Sequence, residues 1–318
     1  MENMENKLKI IYGDWTLGVK GQGFSYMFTY AMGGLSSLYA KGKEWIYRAP
    51  MPCFWRALTD NDRGNRFQEK SAMWLGADVF IKKTGLRLWV EGREKKDFLP
   101  PDNNKLGSQT FAESIRLEFA YETLTVPATE CYVTYEIQVD GAMTVTTSYK
   151  GKKGLPELPV FGLRMIMPTL AEGFTYEGLS GETYPDRRDG GVPGIYEVEG
   201  LPVTPYMLPQ ECGMHVETKW LEVRRKTSLD NRNLPDRETS LLFEAVDGDF
   251  AFSCLPYTAE ELESAFHQED LPVPRRTVVC ICGAVRGVGG IDSWGAEPEE
   301  AYRIPGDKDL EFSFRIRP

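Results

Sequence analysis

The chain has 318 residues, longer than a single hydrophobic core usually grows, so either two domains or one large β domain is possible. Lys and Arg number 37 and Asp and Glu number 47, which gives a formal net charge of −10. This acidic balance argues against nucleic acid or an anionic membrane as a partner. The sequence shows neither a secretory leader pattern nor a long apolar run, so we expect a cytoplasmic protein.

Apolar and polar residues alternate with a period of two along much of the chain, a pattern that predicts short strands. Residues 24–30 alternate in this way and end at Gly33-Gly34, which predicts a strand followed by a tight turn. Residues 131–139 and 143–149 predict two more strands. Asp140-Gly141 between them predicts a type I′ turn, and therefore a β-hairpin.

The same hairpin pattern returns around Asp247-Gly248, and residues 310–316 alternate as a half-buried strand. Helix signals are few. Thr258-Ala259-Glu260-Glu261 predicts a capping box and a helix of two or three turns toward His267, which would lie at its C-terminal end. Residues 68–75 predict a second short helix.

The 20 prolines and 31 glycines are spread through the sequence rather than gathered in a linker, and no repeat has a fixed period. We therefore expect an all-β protein in which residues 1–318 form a single domain, a large antiparallel β-sandwich. The six cysteines lack metal-type spacing and only two histidines accompany them, so buried free thiols are expected.

Three polar clusters interrupt the strand pattern, and each combines carboxylates, an amide or arginine, and turn residues. They cover residues 54–65, 178–188 and 209–215. Such clusters are usually hydrogen-bonded turns. The alternative is that one of four carboxylates belongs to a catalytic pair: Asp60, Asp62, Glu182 or Glu211. Their spacing selects no pair, and the sequence has no nucleophile, zinc or nucleotide motif.

The segment Gly289 to Gly295 places Trp294 among residues too rich in glycine for the interior of a regular element. A tryptophan that only fills a core lies on a strand or helix whose neighbours pack around it. We therefore interpret Trp294 as displayed on a loop, where its indole can offer a flat surface to a sugar ring.

These segments resemble the C-terminal domain of family 2 β-galactosidases. Residues 54–64 resemble its F-x-R-A-x-x-D-N-D-x-G stretch, residues 182–187 its E-N-Y-P-D-R, and residues 290–294 its G-x-D-S-W. In length and motif order the whole chain is similar to the small subunit of the heterodimeric β-galactosidases, in which this domain is a separate polypeptide.

The resemblance implies a very large antiparallel supersandwich, similar to that of galactose mutarotases, with one or two short helices. It implies that the catalytic glutamates and the magnesium and sodium ligands lie in the large subunit, so this chain has no catalytic residue, metal ligand or cofactor. The expected partners are that large subunit and a β-galactoside. We expect the isolated chain to be inactive and to self-associate through an exposed apolar face.

The resemblance also implies roles for particular residues. Trp294 would be the aromatic platform for the aglycone sugar, and Asp292 and Ser293 would support its loop. The implied mobile loop comprises Gly64, Asn65 and Arg66, and its implied base comprises Arg56, Asp60, Asn61 and Asp62. Thr183 and Cys212 depart from the asparagines common in the family, so altered local hydrogen bonding is expected there.

Two other functions remain open from the sequence. A stand-alone aldose 1-epimerase would need an acid and a base, and His215 with Glu211 are the candidates. A non-catalytic carbohydrate-binding module would need only an aromatic platform such as Trp294.

Overall fold

The computed structural model describes residues 7–96, 110–229 and 236–318. The strands, numbered along the chain, begin with β1 (Leu8–Tyr12), β2 (Thr16–Gly21), β3 (Phe24–Thr29), β4 (Leu35–Ala40), β5 (Lys43–Glu44), β6 (Met51–Cys53), β7 (Lys82–Val90), β8 (Arg93–Glu94), β9 (Thr110–Ala112), β10 (Ser114–Glu122) and β11 (Glu130–Gln138). They continue with β12 (Met143–Tyr149), β13 (Val160–Met167), β14 (Gly173–Leu179), β15 (Pro193–Glu199), β16 (Met214–Thr218), β17 (Trp220–Arg225), β18 (Thr239–Ala245), β19 (Phe250–Leu255), β20 (Thr277–Val285) and β21 (Leu310–Arg317).

Across residues 7–96, 110–229 and 236–318, the strands form three sheets in which every pairing is antiparallel. The six-stranded sheet has the order β5-β4-β3-β2-β1-β9, and the five-stranded sheet has the order β16-β19-β20-β13-β6. The ten-stranded sheet has the order β15-β14-β17-β18-β21-β12-β11-β10-β7-β8. The all-β antiparallel prediction is therefore confirmed.

The five-stranded sheet is covered on both faces, because every residue of β13 and of β19 is buried. Leu163, Met165 and Met167 belong to the main core, which all three sheets share. Arg164 alternates with these residues along β13, so its side chain lies on the opposite face of the sheet. There it donates a hydrogen bond to Glu260. No helix of residues 7–96, 110–229 and 236–318 is long and apolar enough to cross a membrane.

In the described part of the chain, three short α-helices accompany the sheets: α1 (Asp60–Gly64), α2 (Phe67–Ser71) and α3 (Ala259–Ser264). Helix α2 runs into a 3-10 turn at Ala72–Trp74, so the helix predicted over residues 68–75 is confirmed. The capping box that begins α3 at Thr258 is also confirmed. The sequence interpretation missed α1, whose aspartates and asparagine were read as a turn.

The position predicted for His267 is wrong, because α3 ends at Ser264 and Ala265 already has extended backbone angles of φ −86° and ψ 133°. His267 instead begins the 3-10 turn Gln268–Asp270, and its Nδ1 lies 3.5 Å from a carboxylate oxygen of Asp270. Its neighbour is therefore a carboxylate rather than the C-terminal carbonyls of a helix.

The hairpin of β11 and β12 is confirmed, but its predicted type I′ turn is wrong. Gln138 N donates to Ala142 O at 3.0 Å and Gly141 N donates to Gln138 O at 3.0 Å, so the loop has three residues. Gly141 has φ +85°, whereas Asp140 does not share the positive φ that a type I′ turn requires. The Asp140 carboxylate accepts Ala142 N at 2.9 Å, and this side-chain bond closes the turn instead.

The second predicted hairpin, around Asp247-Gly248, is also wrong. Strands β18 and β19 both form, but β18 pairs with β17 and β21, whereas β19 pairs with β16 and β20 of the other sheet. The reason lies in burial: β18 alternates, while β19 is buried throughout. A continuous apolar strand is typical of a sheet covered on both faces, so β19 belongs to the inner sheet.

Candidate functional site

The first polar cluster surrounds a buried ionic centre, which we call the Asp62 centre. The Asp62 carboxylate lies between Arg56 Nη1 at 2.7 Å and Arg286 Nη1 at 3.0 Å, and all three side chains are buried. Burial alone would raise the pKa of Asp62, but Arg56, the Thr59 backbone N–H and Arg286 together lower it. Asp62 is therefore held as an anion between two guanidinium groups.

The Asp62 carboxylate also stabilises the start of helix α1. Thr59 Oγ1 accepts Asp62 N at 3.1 Å, and Asp62 Oδ2 accepts Thr59 N at 3.0 Å, which completes a capping box. Asp62 is both a member of this capping box and the ionic partner of Arg56. The start of α1 is therefore fixed to the buried arginines. The helix carries Asp60, Asn61 and Asp62 of the predicted loop base and Gly64, the first residue of the predicted mobile loop.

The loop that follows β20 displays Trp294, whose side chain is 74% exposed. We call residues 288–295 the Trp294 loop. Asp292 and Ser293 lie on its exposed part, and the backbone closes it through Gly290 N to Ala296 O at 2.9 Å. The structure thus shows the indole in solvent on an irregular segment, as the sequence interpretation expected.

Side chains from the first two polar clusters hold the backbone of this loop. Asn61 Nδ2 donates to Val288 O at 3.2 Å, and Asn61 Oδ1 accepts Gly295 N at 3.2 Å. The Asp186 carboxylate accepts Val288 N at 2.9 Å and Gly289 N at 2.8 Å. Arg187 adds a guanidinium donor to Gly289 O. Motifs far apart in sequence therefore converge on the Trp294 loop.

Two glycines in this region lie too close to neighbouring groups for a side chain to fit. A Cβ at Gly64 would lie 2.7 Å from Gly295 Cα, and a Cβ at Gly290 would lie 2.2 Å from Asn61 Nδ2. Gly64 is the last residue of α1, and the positive φ, +61°, belongs instead to Arg66. The glycine at position 64 is therefore required by the close approach of Gly295.

The rest of the predicted mobile loop joins α1 to α2. Asn65 N donates to Asn61 O at 2.9 Å, and both polar atoms of the Asn65 amide are buried without a hydrogen-bond partner among the described residues. Arg66 is exposed and pairs with Glu69. This segment lies against the Trp294 loop, because Gly64 contacts Gly295.

The third cluster binds the start of α1. Gln210 Nε2 donates to Asp60 Oδ2 at 3.1 Å, and Gln210 Oε1 accepts Asp60 N at 2.9 Å. Glu211 is buried beside them, and burial raises its pKa to about 8 although the Arg56 charge opposes that rise. The third cluster, whose Gln210 precedes β16, therefore also supports the start of helix α1.

The two departures from the family pattern lie in buried positions. Thr183 Oγ1 accepts Val216 N at 3.1 Å, while Thr183 N donates to Met214 O at 2.7 Å, so its hydroxyl extends a backbone pairing. The Cys212 side chain is buried among apolar residues that include Leu255. Neither residue is exposed to a ligand.

The four candidate carboxylates each have a local structural environment. Asp62 is bound by two arginines, Asp60 by Gln210, and Glu182 accepts a hydrogen bond from Thr204 at 2.8 Å. Glu211 is 7% exposed. Each carboxylate is thus either engaged in a local structural contact or buried.

The epimerase candidates line two different cavities. His215 lines a cavity of about 340 Å³ with Tyr176 and Tyr196, whereas Glu211 lines a small one beside Arg56. The imidazole of His215 stacks on Phe252 with ring centroids 4.7 Å apart, and burial lowers its pKa to about 4. His215 is therefore a neutral, packed side chain.

All six cysteines are free, and five of them are buried, so the expectation of buried thiols holds except at the partly exposed Cys280. Within the described ranges, no group of three or more His, Cys, Asp or Glu side chains is placed to hold a metal ion.

Sequence reasoning missed Arg286 and the part played by Asp186. Arg286 directly follows β20, and its guanidinium packs over the Phe67 ring at 4.2 Å while it bonds Asp62. A charged residue within the run of apolar and glycine residues 277–290 was the available signal. Asp186 was named in its motif, but no spacing linked it to a backbone about a hundred residues away.

These observations define an all-β chain that presents an exposed tryptophan on a loop anchored by Asn61 and Asp186. The chain belongs to the beta-galactosidase small chain family, whose sequence model matches residues 20–316. It is 52% identical over 316 residues to the beta-galactosidase small subunit of Latilactobacillus sakei, with 99% of both chains covered.

Longer relatives match as well. The chain is 31% identical to a beta-galactosidase of Streptococcus thermophilus, over 98% of this chain and 28% of that protein. It is 34% identical to a beta-galactosidase of Halalkalibacterium halodurans, over 99% of this chain and 28% of that protein. The chain thus spans about 28% of the length of these two relatives.

Among solved structures, a putative aldose 1-epimerase from Escherichia coli aligns with a TM-score of 0.41 and 11% identity, covering 97% of this chain and 98% of that one. A likeness of this size carries no argument about function.

Proposed function

We propose that this chain is the small subunit of a retaining β-galactosidase, and that Trp294 forms an aromatic wall on the aglycone side of an active site shared with a large subunit. The observation that carries the proposal is the 52% identity to a small subunit over 99% of both chains. The exposed indole on an anchored loop supports the part assigned to Trp294.

The physical chemistry suits this role. The face of an indole attracts the polarised C–H groups of a pyranose, and covering an aromatic side chain of this size contributes about 1 to 3 kcal/mol. Trp294 is 74% exposed, so most of its surface is free to contact a sugar. A backbone-anchored loop also limits the entropy lost when the sugar binds.

Retaining hydrolysis of a glycoside needs an acid carboxyl and a nucleophilic carboxylate about 5 Å apart. The candidate carboxylates of this chain are bound by arginine, glutamine or threonine, or are buried. The proposal therefore assigns the catalytic glutamates, and the magnesium and sodium ions, to the large subunit.

Reconstitution tests the assignment. A tagged copy of this chain is purified alone and with the large subunit that it captures, and hydrolysis of o-nitrophenyl β-galactoside is followed. We expect turnover from the complex only, with the β-anomer of galactose formed first, as seen by proton NMR. Strong turnover by the isolated chain would overturn the proposal. Mutarotase activity, or galactoside binding that never leads to turnover in a complex, would favour the two other functions.

Substitution tests the role of Trp294. In the complex, Trp294→Ala should raise the KM for lactose about tenfold, which corresponds to about 1.4 kcal/mol of lost binding. Trp15→Ala is the matched control, because Trp15 is 68% exposed on the turn between β1 and β2. Equal effects of the two substitutions would contradict the assignment.

A further inference from the structure

We infer that Asn61 and Asp186 are positioning residues that hold the Trp294 loop in its working conformation and thereby set aglycone selectivity. The inference rests on the proposed function for its catalytic consequence, but its structural part stands on the isolated chain. Both residues act through the loop backbone, and neither needs to touch a sugar.

Apolar burial holds only the start of this loop, where Val288 packs against a core cluster. The largest apolar side chains of the Trp294 loop face solvent, since Ile291 is 66% and Trp294 is 74% exposed. Burial is ordinarily the dominant stabilising contribution to a local conformation. The conformation of this loop therefore depends on hydrogen bonds to its backbone.

Asn61 joins the two ends of the loop. One carboxamide donates to Val288 O at 3.2 Å and accepts Gly295 N at 3.2 Å, so a single side chain spans the start and the end of the segment. The carboxamide fits because Gly290 has no side chain, as a Cβ there would lie 2.6 Å from both Asn61 Cγ and Oδ1. An amide suits this position, because its NH2 group donates to one end of the loop while its carbonyl oxygen accepts from the other.

Asp186 fixes the direction in which the chain leaves β20. Its two oxygens accept the consecutive N–H groups of Val288 and Gly289 at 2.9 and 2.8 Å. Hydrogen bonds to a carboxylate are shorter and about twice as strong as neutral ones. The carboxylate approaches closely because Gly287 is a glycine, where a Cβ would lie 2.7 Å from Asp186 Cγ.

A third contact secures the chain just beyond the loop. Glu297 pairs with Lys70 of α2 and, at 3.0 Å, with Arg303. Asn61 on α1 and Lys70 on α2 therefore hold the loop against the same pair of helices, while Asp186 holds it from the second polar cluster. Loss of either Asn61 or Asp186 frees one end of the segment and leaves the sandwich core untouched.

Hydrogen exchange on the isolated full chain tests the structural part. Asp186→Asn directs an NH2 group at one of two backbone donors, so peptides covering residues 288–297 should exchange at least about fivefold faster. Asn61→Ala should do the same at Gly295, and Asn61→Asp, which keeps the acceptor, should have a smaller effect. Asp189→Asn is the matched control, because Asp189 is an exposed aspartate on the connection between β14 and β15 that also carries Asp186. Unchanged exchange in both Asp186→Asn and Asn61→Ala would overturn the inference.

Kinetics of the complex test the consequence for selectivity. We expect the KM for lactose to rise about fivefold in Asp186→Asn and Asn61→Ala, while kcat for o-nitrophenyl β-galactoside stays within about twofold of the unsubstituted complex. If exchange rises and Trp294→Ala raises the lactose KM but these variants do not, positioning is wrong. If exchange rises and Trp294→Ala also has no effect, the proposed function fails while the structural anchors stand.

Discussion

Two buried ionic centres in this protein have opposite composition. At the Asp62 centre, one carboxylate lies between two arginines, Arg56 and Arg286. At the second, which we call the Arg164 centre, one arginine lies between two carboxylates, those of Asp78 and Glu260. Comparing the two shows how the number of cationic partners decides the direction in which the pKa of a buried acid shifts.

The pKa values follow this composition. Burial opposes ionisation at both aspartates, but two arginines overcome it at Asp62, whose pKa is lowered. At Asp78 burial raises the pKa, and Glu260 adds to that rise while Arg164 opposes it. Two cations thus stabilise the Asp62 carboxylate as an anion, whereas at the Arg164 centre two acids share one cation.

The largest expected effect is at Asp62. Asp62→Asn leaves buried Arg56 without its paired anion, leaves Arg286 with Glu157 alone and weakens the capping box of α1, so the free energy of unfolding should fall by about 3 to 5 kcal/mol. Urea denaturation of the isolated chain measures the loss, with Asp189→Asn as an exposed control. A loss below 1 kcal/mol would contradict the account of this centre.

The corresponding change at the Arg164 centre should be smaller. Asp78→Asn removes an acid whose ionised form is already destabilised by burial and by the Glu260 charge, and Arg164 keeps Glu260 at 3.0 Å. We expect a loss of about 1 kcal/mol in the same urea experiment. If Asp78→Asn cost as much as Asp62→Asn, partner number would not be what separates the two centres.

The pH dependence of these differences should have opposite signs. The folded-state pKa of Asp62 lies below its ordinary value of 3.8, so its stabilisation is present above that value and is lost as pH falls through the folded-state pKa. The folded-state pKa of Asp78 lies above 3.8, so the stability linked to its protonated form is lost as pH rises through that pKa.

Urea midpoints of the unsubstituted chain and both variants, measured across acidic pH, test this contrast. The cost of Asp62→Asn should shrink as pH falls below 3.8, and the cost of Asp78→Asn should shrink as pH rises above 3.8. Parallel trends would show that the two acids titrate alike in the folded state.

Much of the fold was readable from local pattern. Half-buried strands such as β21 alternate because one face meets the core and the other meets solvent, and the β11–β12 hairpin follows from two such runs around a glycine. The error at Asp247-Gly248 arose because strand pairing depends on distant partners. A turn sequence does not state which sheet the next strand joins.

The site divides in the same way. The identity and exposure of Trp294 were readable, as was the polar cluster around Asn61 and Asp62. Helix α1 was missed although Thr59 and Asp62 have the spacing of a capping box. The bonds from Asn61 and Asp186 to the Trp294 loop span 227 to 234 and 102 to 103 residues, so only the folded chain brings them together.

Strand β21 has a consequence for the order in which the protein assembles. It lies between β12 and β18, so the two halves of the ten-stranded sheet meet only through it. Its pairing of Met143 with Ile316 joins positions far apart in the chain. During synthesis, β12 in one half of this sheet and β18 in the other therefore each keep one unpaired edge until residues 310–317 emerge. A chain interrupted before Leu310 would leave both edges available for aggregation.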